Sequence, residues 1–203
     1  MPKGKSISSI LHPIHEVPLQ AYFGQGLHTL GLLGWLLPQT GLADVWVSSY
    51  STSEPFLNGF YLLGQKGMIR HSAILLDQRA ARKTLHLESL LDAAFEHVFL
   101  GQNHSKLLLV HNCIGECVSV ITSQNQTYGA RAESTIISTD RQVFDVLMQQ
   151  FVDICGNGAV ELDLKNGKGI VGNNGKSIVT ENRAAGKSAA DTGTDWQPIG
   201  TEW

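Results

Sequence analysis

The twelve residues GQNHSKLLLVHN, Gly101 to Asn112, constrain the fold of this chain most, because a polar, basic stretch leads directly into four consecutive apolar residues. In an extended strand, successive side chains point to opposite faces. His104, Lys106, Leu108 and Val110 would then share one face. The pattern predicts a strand that starts with a basic pair and continues, directly after that pair, into the hydrophobic core.

The same stretch opens a predicted hairpin. One strand is predicted over Lys106–His111, Gly115 is the expected pivot of a short turn, and the chain returns as a strand over Cys117–Thr122. A further strand is predicted over Glu133–Ser138, and Thr139 to Gln142 fits a capping box that opens a helix. The inward side of that helix is predicted to carry Val143, Phe144, Leu147, Phe151 and Ile154.

Helix-like and strand-like stretches alternate ahead of this hairpin. They are a helix over Leu27–Leu37 closed by Pro38 and Gly41, a strand around Val45–Val47, a helix over Phe56–Lys66, a strand over Arg70–Asp77 and a helix over His86–Val98. Alternation of this kind predicts an α/β fold, with a mixed sheet between two helix layers in an α/β/α sandwich. Polar loops are expected to gather at the strand ends, where sites usually form.

The last part of the chain differs in composition from the rest. Nine of its final 48 residues are glycine, and Asn-Gly pairs recur at 166 and 174. We therefore expect a folded domain over residues 1–155 and a Gly/Asn-rich segment over 156–203. That segment is either a loose tail or a small hairpin in which VELDL pairs with SIVTE.

Composition excludes several classes of protein. The chain has 203 residues, 42% of them hydrophobic, and a net charge of −3, so nucleic acid would have to meet a local basic patch. Three cysteines argue against a disulfide framework and for a reducing compartment. The most apolar stretch is too short to span a bilayer, so we expect a cytoplasmic protein that does not bind membranes. No cysteine or histidine pair has convincing metal-ligand spacing, so no metal is expected.

The predicted hairpin brings together side chains that suit a phosphodiester. They are His104, Lys106, Ser123, Asn125 and Glu133. An imidazole can attack phosphorus, while ammonium, hydroxyl and amide groups donate to the non-bridging oxygens. A carboxylate that accepts from the other ring nitrogen would fix the tautomer of the imidazole.

Three short motifs resemble those of a known superfamily. His104-Ser105-Lys106 and Thr122-Ser123-Gln124-Asn125 resemble the H-x-K and G-S-x-N signature of the phospholipase D superfamily. Gly129-Ala130-Arg131-Ala132-Glu133 resembles the G-R-x-E ending of many bacterial members. The resemblance covers roughly residues 27–155 and implies a phospholipase D-like fold.

The resemblance also implies a reaction. Members of the superfamily are phosphodiesterases that work without metal or other cofactor, through a phosphohistidine intermediate. A chain with one motif, like the small bacterial endonucleases of the superfamily, would form a homodimer whose active site lies across the two-fold axis. Nucleic acid is then the expected substrate. The implied catalytic residues are His104, Lys106, Asn125 and Glu133, and the implied substrate-binding residues are Ser123 and Arg131.

Two positions depart from the superfamily pattern, and they leave alternatives open. His111 stands where an Asp usually follows the Lys, and Thr122 stands where Gly is common. The chain could be a degenerate module that binds nucleic acid or a protein without turnover, or an unrelated α/β protein in which H-x-K is coincidental. Tyr50 and Ser51, in the loop after the first predicted strand, are expected to line the cleft.

Overall fold

The computed structural model describes residues 7–127 and 131–164. The strands are β1 Leu19–Gly24, β2 Ala43–Ser49, β3 Ile69–Asp77, β4 His97–Gly101, β5 Leu107–Asn112, β6 Cys117–Thr122, β7 Glu133–Ser138 and β8 Ala159–Glu161. The helices are α1 Thr29–Thr40, α2 Glu54–Gln65, α3 Ala81–Leu85, α4 Glu88–Ala94 and α5 Arg141–Asn157.

All eight described strands form one mixed sheet in the order β1-β7-β6-β5-β2-β3-β4-β8. Strands β2, β3 and β4 run parallel to one another, whereas β5 pairs antiparallel with both β2 and β6. The predicted hairpin is confirmed, and Gly115 in its turn has a φ of 91°, a backbone conformation that favours glycine. The predicted α/β architecture with a mixed sheet is therefore correct.

One face of the sheet carries the larger core, beneath helices α1, α2 and α4. Leu33 of α1, Leu57 of α2 and Leu91 of α4 are fully buried there. Leu108 and Val110 of β5 belong to the same core, as their alternation predicts. A continuous apolar run in β5 is required because this strand is buried on both faces.

Helix α5 covers the other face of the sheet. Its Phe144 packs with Leu107 and Leu109 of β5, and its Phe151 packs with Leu75 and other residues of the parallel strands. The helix begins one residue later than a capping box at Thr139 would place it, because the Asp140 carboxylate accepts from the amide of Val143. The expected inward residues Val143 and Ile154 are wrong, since they are 37% and 42% exposed.

At the β1 side of the sheet, no helix of the described residues covers the α5 face. Ile121 lies on the α5 face because it is four residues beyond Cys117, which packs with α5 residues. Ile136 pairs with both Ile121 and Ala21, so these strands extend the same face. Four exposed side chains there form what we call the bare patch: Leu19, Phe23, Ile121 and Ile136.

The helix predicted over His86–Val98 is wrong in its second half. Helix α4 ends where Phe95 turns to extended backbone, and the chain continues as β4. Val98 pairs with Ile74 of β3 and is buried in the larger core. Pairing with a parallel neighbour overrides the helical spacing of the apolar residues here.

Gly41 ends the first helix as predicted, but Pro38 does not. Helix α1 continues through Pro38 to Thr40 and ends at Gly41, which has a φ of 76°. Pro38 lacks an amide donor, but it lies only three residues before the helix end, so it interrupts little of the helix. The weakly patterned strand β1, whose partner is β7, was not predicted.

The chain beyond residue 155 still contributes to the sheet. Helix α5 continues to Asn157, and Ala159–Glu161 pair antiparallel with β4. Val160 and Glu161 of VELDL thus pair with β4 on one edge, and the alternative in which VELDL pairs with SIVTE stays a prediction. SIVTE, like all of 165–203, lies outside the described residues, and the division at residue 155 stays a prediction.

The three cysteines differ in exposure. Cys113, in the turn between β5 and β6, is exposed, whereas Cys117 and Cys155 are buried. Burial raises the pKa of the Cys155 thiol to about 12. None of the helices in the described part of the chain combines the length and apolar character needed to cross a membrane.

Candidate active site

The polar strand ends meet at one edge of the sheet. Strands β2, β3 and β4 end there, and the antiparallel pairing places the start of β5, the end of β6 and the start of β7 at the same edge. Loops that leave one sheet edge converge, so this edge is the natural place for a site. The sequence motifs H-x-K and S-x-N lie at the start of β5 and just after β6.

His104 and Lys106 contact each other just ahead of β5. The Lys106 Nζ donates to the His104 carbonyl oxygen at 2.6 Å and lies 3.3 Å from His104 Nδ1. Both residues precede Leu107, where β5 begins, so the predicted strand over Lys106–His111 starts one residue too early. Their contact arises because the loop curls the ammonium back onto the residue two positions before it.

An aromatic ring lies beside the imidazole. The rings of Tyr50 and His104 have their centroids 5.4 Å apart at an interplanar angle of 60°. Tyr50 follows directly on β2 and is half-buried, whereas His104 is exposed. The carbonyl of Ser51 accepts from the Ser49 hydroxyl at 2.8 Å. Tyr50 therefore lies at the site edge, where the sequence predicted it.

Ser123 and Glu133 form a second polar contact at this edge. The Ser123 hydroxyl donates to Glu133 Oε2 and accepts from the amide of Ser134 at 3.0 Å. The two contacts are joined by the backbone, since the amide of Thr122 donates to the carbonyl of Lys106 at 3.1 Å. Glu133 was expected to orient the imidazole, but its hydrogen-bond partner here is the Ser123 hydroxyl.

The charge of Glu133 nevertheless acts on Lys106. Burial lowers the pKa of the Lys106 ammonium, and the nearby Glu133 carboxylate opposes part of that shift. A partly desolvated ammonium interacts more strongly with an incoming anion than a fully hydrated one does, and Glu133 favours its protonated form. Lys106 is therefore the cation beside the imidazole, partly balanced by Glu133.

Asn125 and Arg131 lie on the Ser123 side of the site. With Ser123 and Glu133 they line an open cavity of about 480 Å³, whose remaining walls come from Gln124, Thr127 and Ala132. The Asn125 Oδ1 is buried without a hydrogen-bond partner among the described residues. Gly129 and Ala130 of the G-R-x-E resemblance lie outside the described residues. His104 and Lys106 do not line this cavity, so the site has two adjacent parts.

A polar layer under His104 was missed from the sequence. Asn103 is buried and contacts Asp77, Ser49 and Ser105, which come from different strand ends. An asparagine after Gly-Gln is usually read as a turn residue. The available signal was the Asp at the end of β3, a carboxylate that follows a fully apolar run.

His111 lies at the opposite edge of the sheet. Its ring is 5.7 Å from that of Phe144, and burial, followed by the nearby Arg141, lowers its pKa. The residue that replaces the usual Asp is therefore remote from His104. Within residues 7–127 and 131–164, no group of three or more His, Cys, Asp or Glu side chains is placed to hold a metal ion.

Comparison with known proteins gives matches in structure. No protein-family model matches the chain, and no curated protein matches it in sequence. NucT from Helicobacter pylori aligns with a TM-score of 0.50 and 13% identity, over 69% of this chain and 98% of that chain. Polyphosphate kinase from Porphyromonas gingivalis aligns with a TM-score of 0.54 and 12% identity, over 76% of this chain and 29% of that chain. Nuc from Salmonella typhimurium, described as a phospholipase D family member, aligns with a TM-score of 0.49 and 14% identity, over 69% and 96%.

The chain shares the fold of NucT and of the matched part of the polyphosphate kinase, an α/β fold of the phospholipase D-like kind. This confirms the resemblance that the sequence motifs suggested, at the level of the fold. Identities of 12–14% carry no activity across from these proteins. The phospholipase D-like fold therefore fixes the architecture, and any activity must be argued from the side chains at its site edge.

Proposed function

We propose that this protein is a metal-independent phosphodiesterase, and specifically a nuclease, that acts as a homodimer. The observation that carries the proposal is the contact between His104 and Lys106 beside the Ser123–Glu133 pair, at one sheet edge of a phospholipase D-like fold. In the proposed site, the nucleophile and cation of one part and the polar donors of the other act on one bound phosphate.

In the first step, an imidazole nitrogen of His104 attacks phosphorus. A nitrogen–phosphorus bond forms as the bond from phosphorus to the leaving oxygen breaks, and the leaving oxygen takes a proton from the imidazolium of the partner's His104. The Lys106 ammonium and the Ser123 and Asn125 side chains stabilise the charge on the non-bridging oxygens. Glu133 accepts from Ser123 and so holds that hydroxyl in place.

In the second step, water replaces the histidine. The partner's His104, now neutral, takes a proton from the water as its oxygen attacks phosphorus, and the nitrogen–phosphorus bond breaks. The phosphate monoester leaves and His104 is regenerated. Each group that acts is a side chain, so the reaction needs no metal ion.

Basic groups at the site edge support nucleic acid as the substrate. Arg79 follows β3 at this edge and is exposed, as is Arg131 on the other side of the site. With Lys106 they give a local patch on a chain whose net charge is −3. The choice of nucleic acid over other phosphodiesters rests on the resemblance to single-motif endonucleases of the superfamily.

The bare patch supports a second copy of the chain as the partner. Its Phe23 is 79% exposed and Leu19 is 67% exposed, in a cluster whose four side chains are all apolar. Large exposed apolar clusters mark interaction sites. The patch adjoins the site, because Gly24 pairs with Glu133 and Ile121 is two residues before Ser123.

Helix α5 offers the complementary surface. Val143, Val146 and Ile154 are exposed on it, and Val146 is 57% exposed. In a two-fold dimer, the exposed α5 residues of each copy would pack on the bare patch of the other. The contact would then occur twice, and it would cover both apolar surfaces of each copy. Phe23 and Ile154 lie at the ends of these surfaces nearer the site edge, and the dimer we propose would bring the two His104 side chains towards each other there.

Activity is tested with bis(p-nitrophenyl) phosphate and a nucleic-acid substrate in excess chelator. We expect turnover by the wild type, none by His104→Ala, and wild-type rates for His12→Ala, an exposed histidine far from the site. A denaturing trap should capture acid-labile phosphate on the wild type. Binding without turnover would instead indicate the degenerate binding module, and activity in His104→Ala would refute the proposed nucleophile.

Association is tested by measuring mass in solution. We expect a dimer for the wild type, and a monomer with little activity for Phe23→Asp, because the charge would be buried at the contact. Leu62→Asp is the matched control, since Leu62 is 57% exposed on α2, at the other face of the sheet. A wild type that is active as a monomer, or a dimer that survives Phe23→Asp, would contradict this arrangement.

A further inference from the structure

Asn103 lies immediately before His104 and is only 6% exposed. Its side-chain Nδ2 donates to the carbonyls of Ser49 and Leu75, at 3.1 Å each. Its backbone amide donates to Asp77 Oδ2 at 2.9 Å, and the other carboxylate oxygen of Asp77 accepts from the amide of Arg79. One asparagine thus ties the loop to the ends of β2 and β3.

The oxygen of the same carboxamide holds the residue between the two motif positions. Asn103 Oδ1 accepts from the Ser105 amide at 3.0 Å and from the Ser105 hydroxyl at 2.7 Å. The Ser105 hydroxyl also bonds with that of Ser48 in β2. The carboxamide therefore uses both donors and both acceptor positions, which is its full capacity.

This anchoring matters because the loop at 102–106 lies outside the sheet ladder. Apart from the Thr122–Lys106 backbone bond at its end, its conformation depends on side-chain bonds. The Ser105 hydroxyl, bonded to Asn103 and to Ser48 of β2, fixes the backbone between His104 and Lys106, and these two side chains contact each other. The spacing of H-x-K alone does not fix that contact.

We infer that Asn103 is a positioning residue, which acts with Asp77 and Ser105 to hold His104 and Lys106 in their reactive orientation. The inference rests on the proposed phosphodiesterase activity of His104. Loss of Asn103 still leaves Ser123 and Asn125 to bind phosphate, so it should lower kcat more than it raises KM. Misplacement by about 1 Å can cost about 10²-fold in rate.

The matched control is Asn112, at the other end of β5. It is 1% exposed, and it too uses four bonds: Nδ2 donates to Thr40 and Glu116, and Oδ1 accepts from the amides of Ile114 and Glu116. Asn103→Ala and Asn112→Ala therefore remove equivalent networks. Both should lower the melting temperature to a similar extent.

We expect Asn103→Ala to lose about 10²-fold in kcat, and Asn112→Ala to retain the wild-type kcat. Ser105→Ala, with Ser119→Ala as its control, covers the case in which Asn103→Ala does not fold. The Ser119 hydroxyl is buried without a hydrogen-bond partner among the described residues, so its loss removes no bond. Wild-type kcat in folded Asn103→Ala or in Ser105→Ala, or equal kcat losses in both asparagine variants, would overturn the inference.

A readout that needs no turnover separates this inference from the proposed function. The His104 ring resonances are followed by NMR while inorganic phosphate is added. Asn103→Ala should change their positions and their response to phosphate, and Asn112→Ala should not. If the wild type is inert on every ester, the proposed function fails. If the His104 resonances are the same in Asn103→Ala and the wild type, the positioning role fails.

Discussion

Each end of β5 carries a histidine and an asparagine, but the two pairs lie in different surroundings. At the site edge, His104 is exposed next to the Lys106 ammonium, and Asn103 is buried beneath it. At the other edge, His111 is half-buried against Phe144, and Asn112 is buried beside it.

The comparison separates the roles of these residue types. Both asparagines brace a loop at a strand end, and their burial with full hydrogen bonding explains why a carboxamide suits each place. The histidines differ because one ring faces solvent beside a cation, whereas the other packs on an aromatic ring in the α5 core. An imidazole can reach a substrate from the first place, and it can only serve packing from the second.

The largest expected difference between the two ends is in catalysis. Lys106→Gln keeps much of the side-chain length but removes the charge that faces the phosphate. We expect it to lower kcat about 10²- to 10³-fold, as loss of one transition-state donor does in other enzymes. His111→Phe, which keeps an aromatic ring next to Phe144, should retain wild-type kcat. Equal effects in steady-state hydrolysis assays would remove the proposed distinction.

A smaller effect is expected in the alkaline limb of the pH–rate profile. Burial lowers the pKa of Lys106, against some opposition from Glu133, so the ammonium loses its proton below the ordinary lysine value of 10.5. Activity that needs the protonated form should therefore fall as pH rises through that lowered pKa. Lys106→Arg keeps a cation at higher pH, so its residual activity should persist further into the alkaline range. An identical alkaline limb in both proteins would assign it to another group.

The smallest effect concerns stability at the other end. Burial, followed by Arg141, lowers the pKa of His111 below 6.5, so between those values the unfolded chain binds the additional proton. The free energy of unfolding should fall as pH drops through that window, and it should fall less in His111→Phe. Urea titrations from about pH 7.5 to about pH 5 measure how the free energy of unfolding changes with pH in each protein. The same pH dependence in the wild type and His111→Phe would show that His111 does not contribute.

The hairpin and its motifs could be predicted because their signals are local. A continuous apolar run between polar ends marks β5 as a buried strand, and Gly115 marks the turn that follows. The motif spacing then places Ser123 near Lys106, and the Thr122–Lys106 backbone bond shows why, since the two strands are paired up to that point.

Elements that depend on distant partners could not be predicted. The apolar residues of β4 continue the helical spacing of α4, so the sequence alone favours a helix there. They form a strand because they pair with β3. Strand β1 exists because β7 offers it an edge, and its exposed side chains give little periodic signal. Asn103 was missed for the same reason, because its bonds reach the ends of β2 and β3, which lie more than 25 residues earlier in the chain.

The unequal exposure of the three cysteines makes this protein convenient to label. A thiol-reactive fluorophore should modify Cys113 selectively, since the other two thiols are buried and burial raises the pKa of each. The dye would sit in the β5–β6 turn, at the sheet edge opposite His104. Energy transfer between donor- and acceptor-labelled copies would then report whether the copies associate as proposed, with the label away from the site edge.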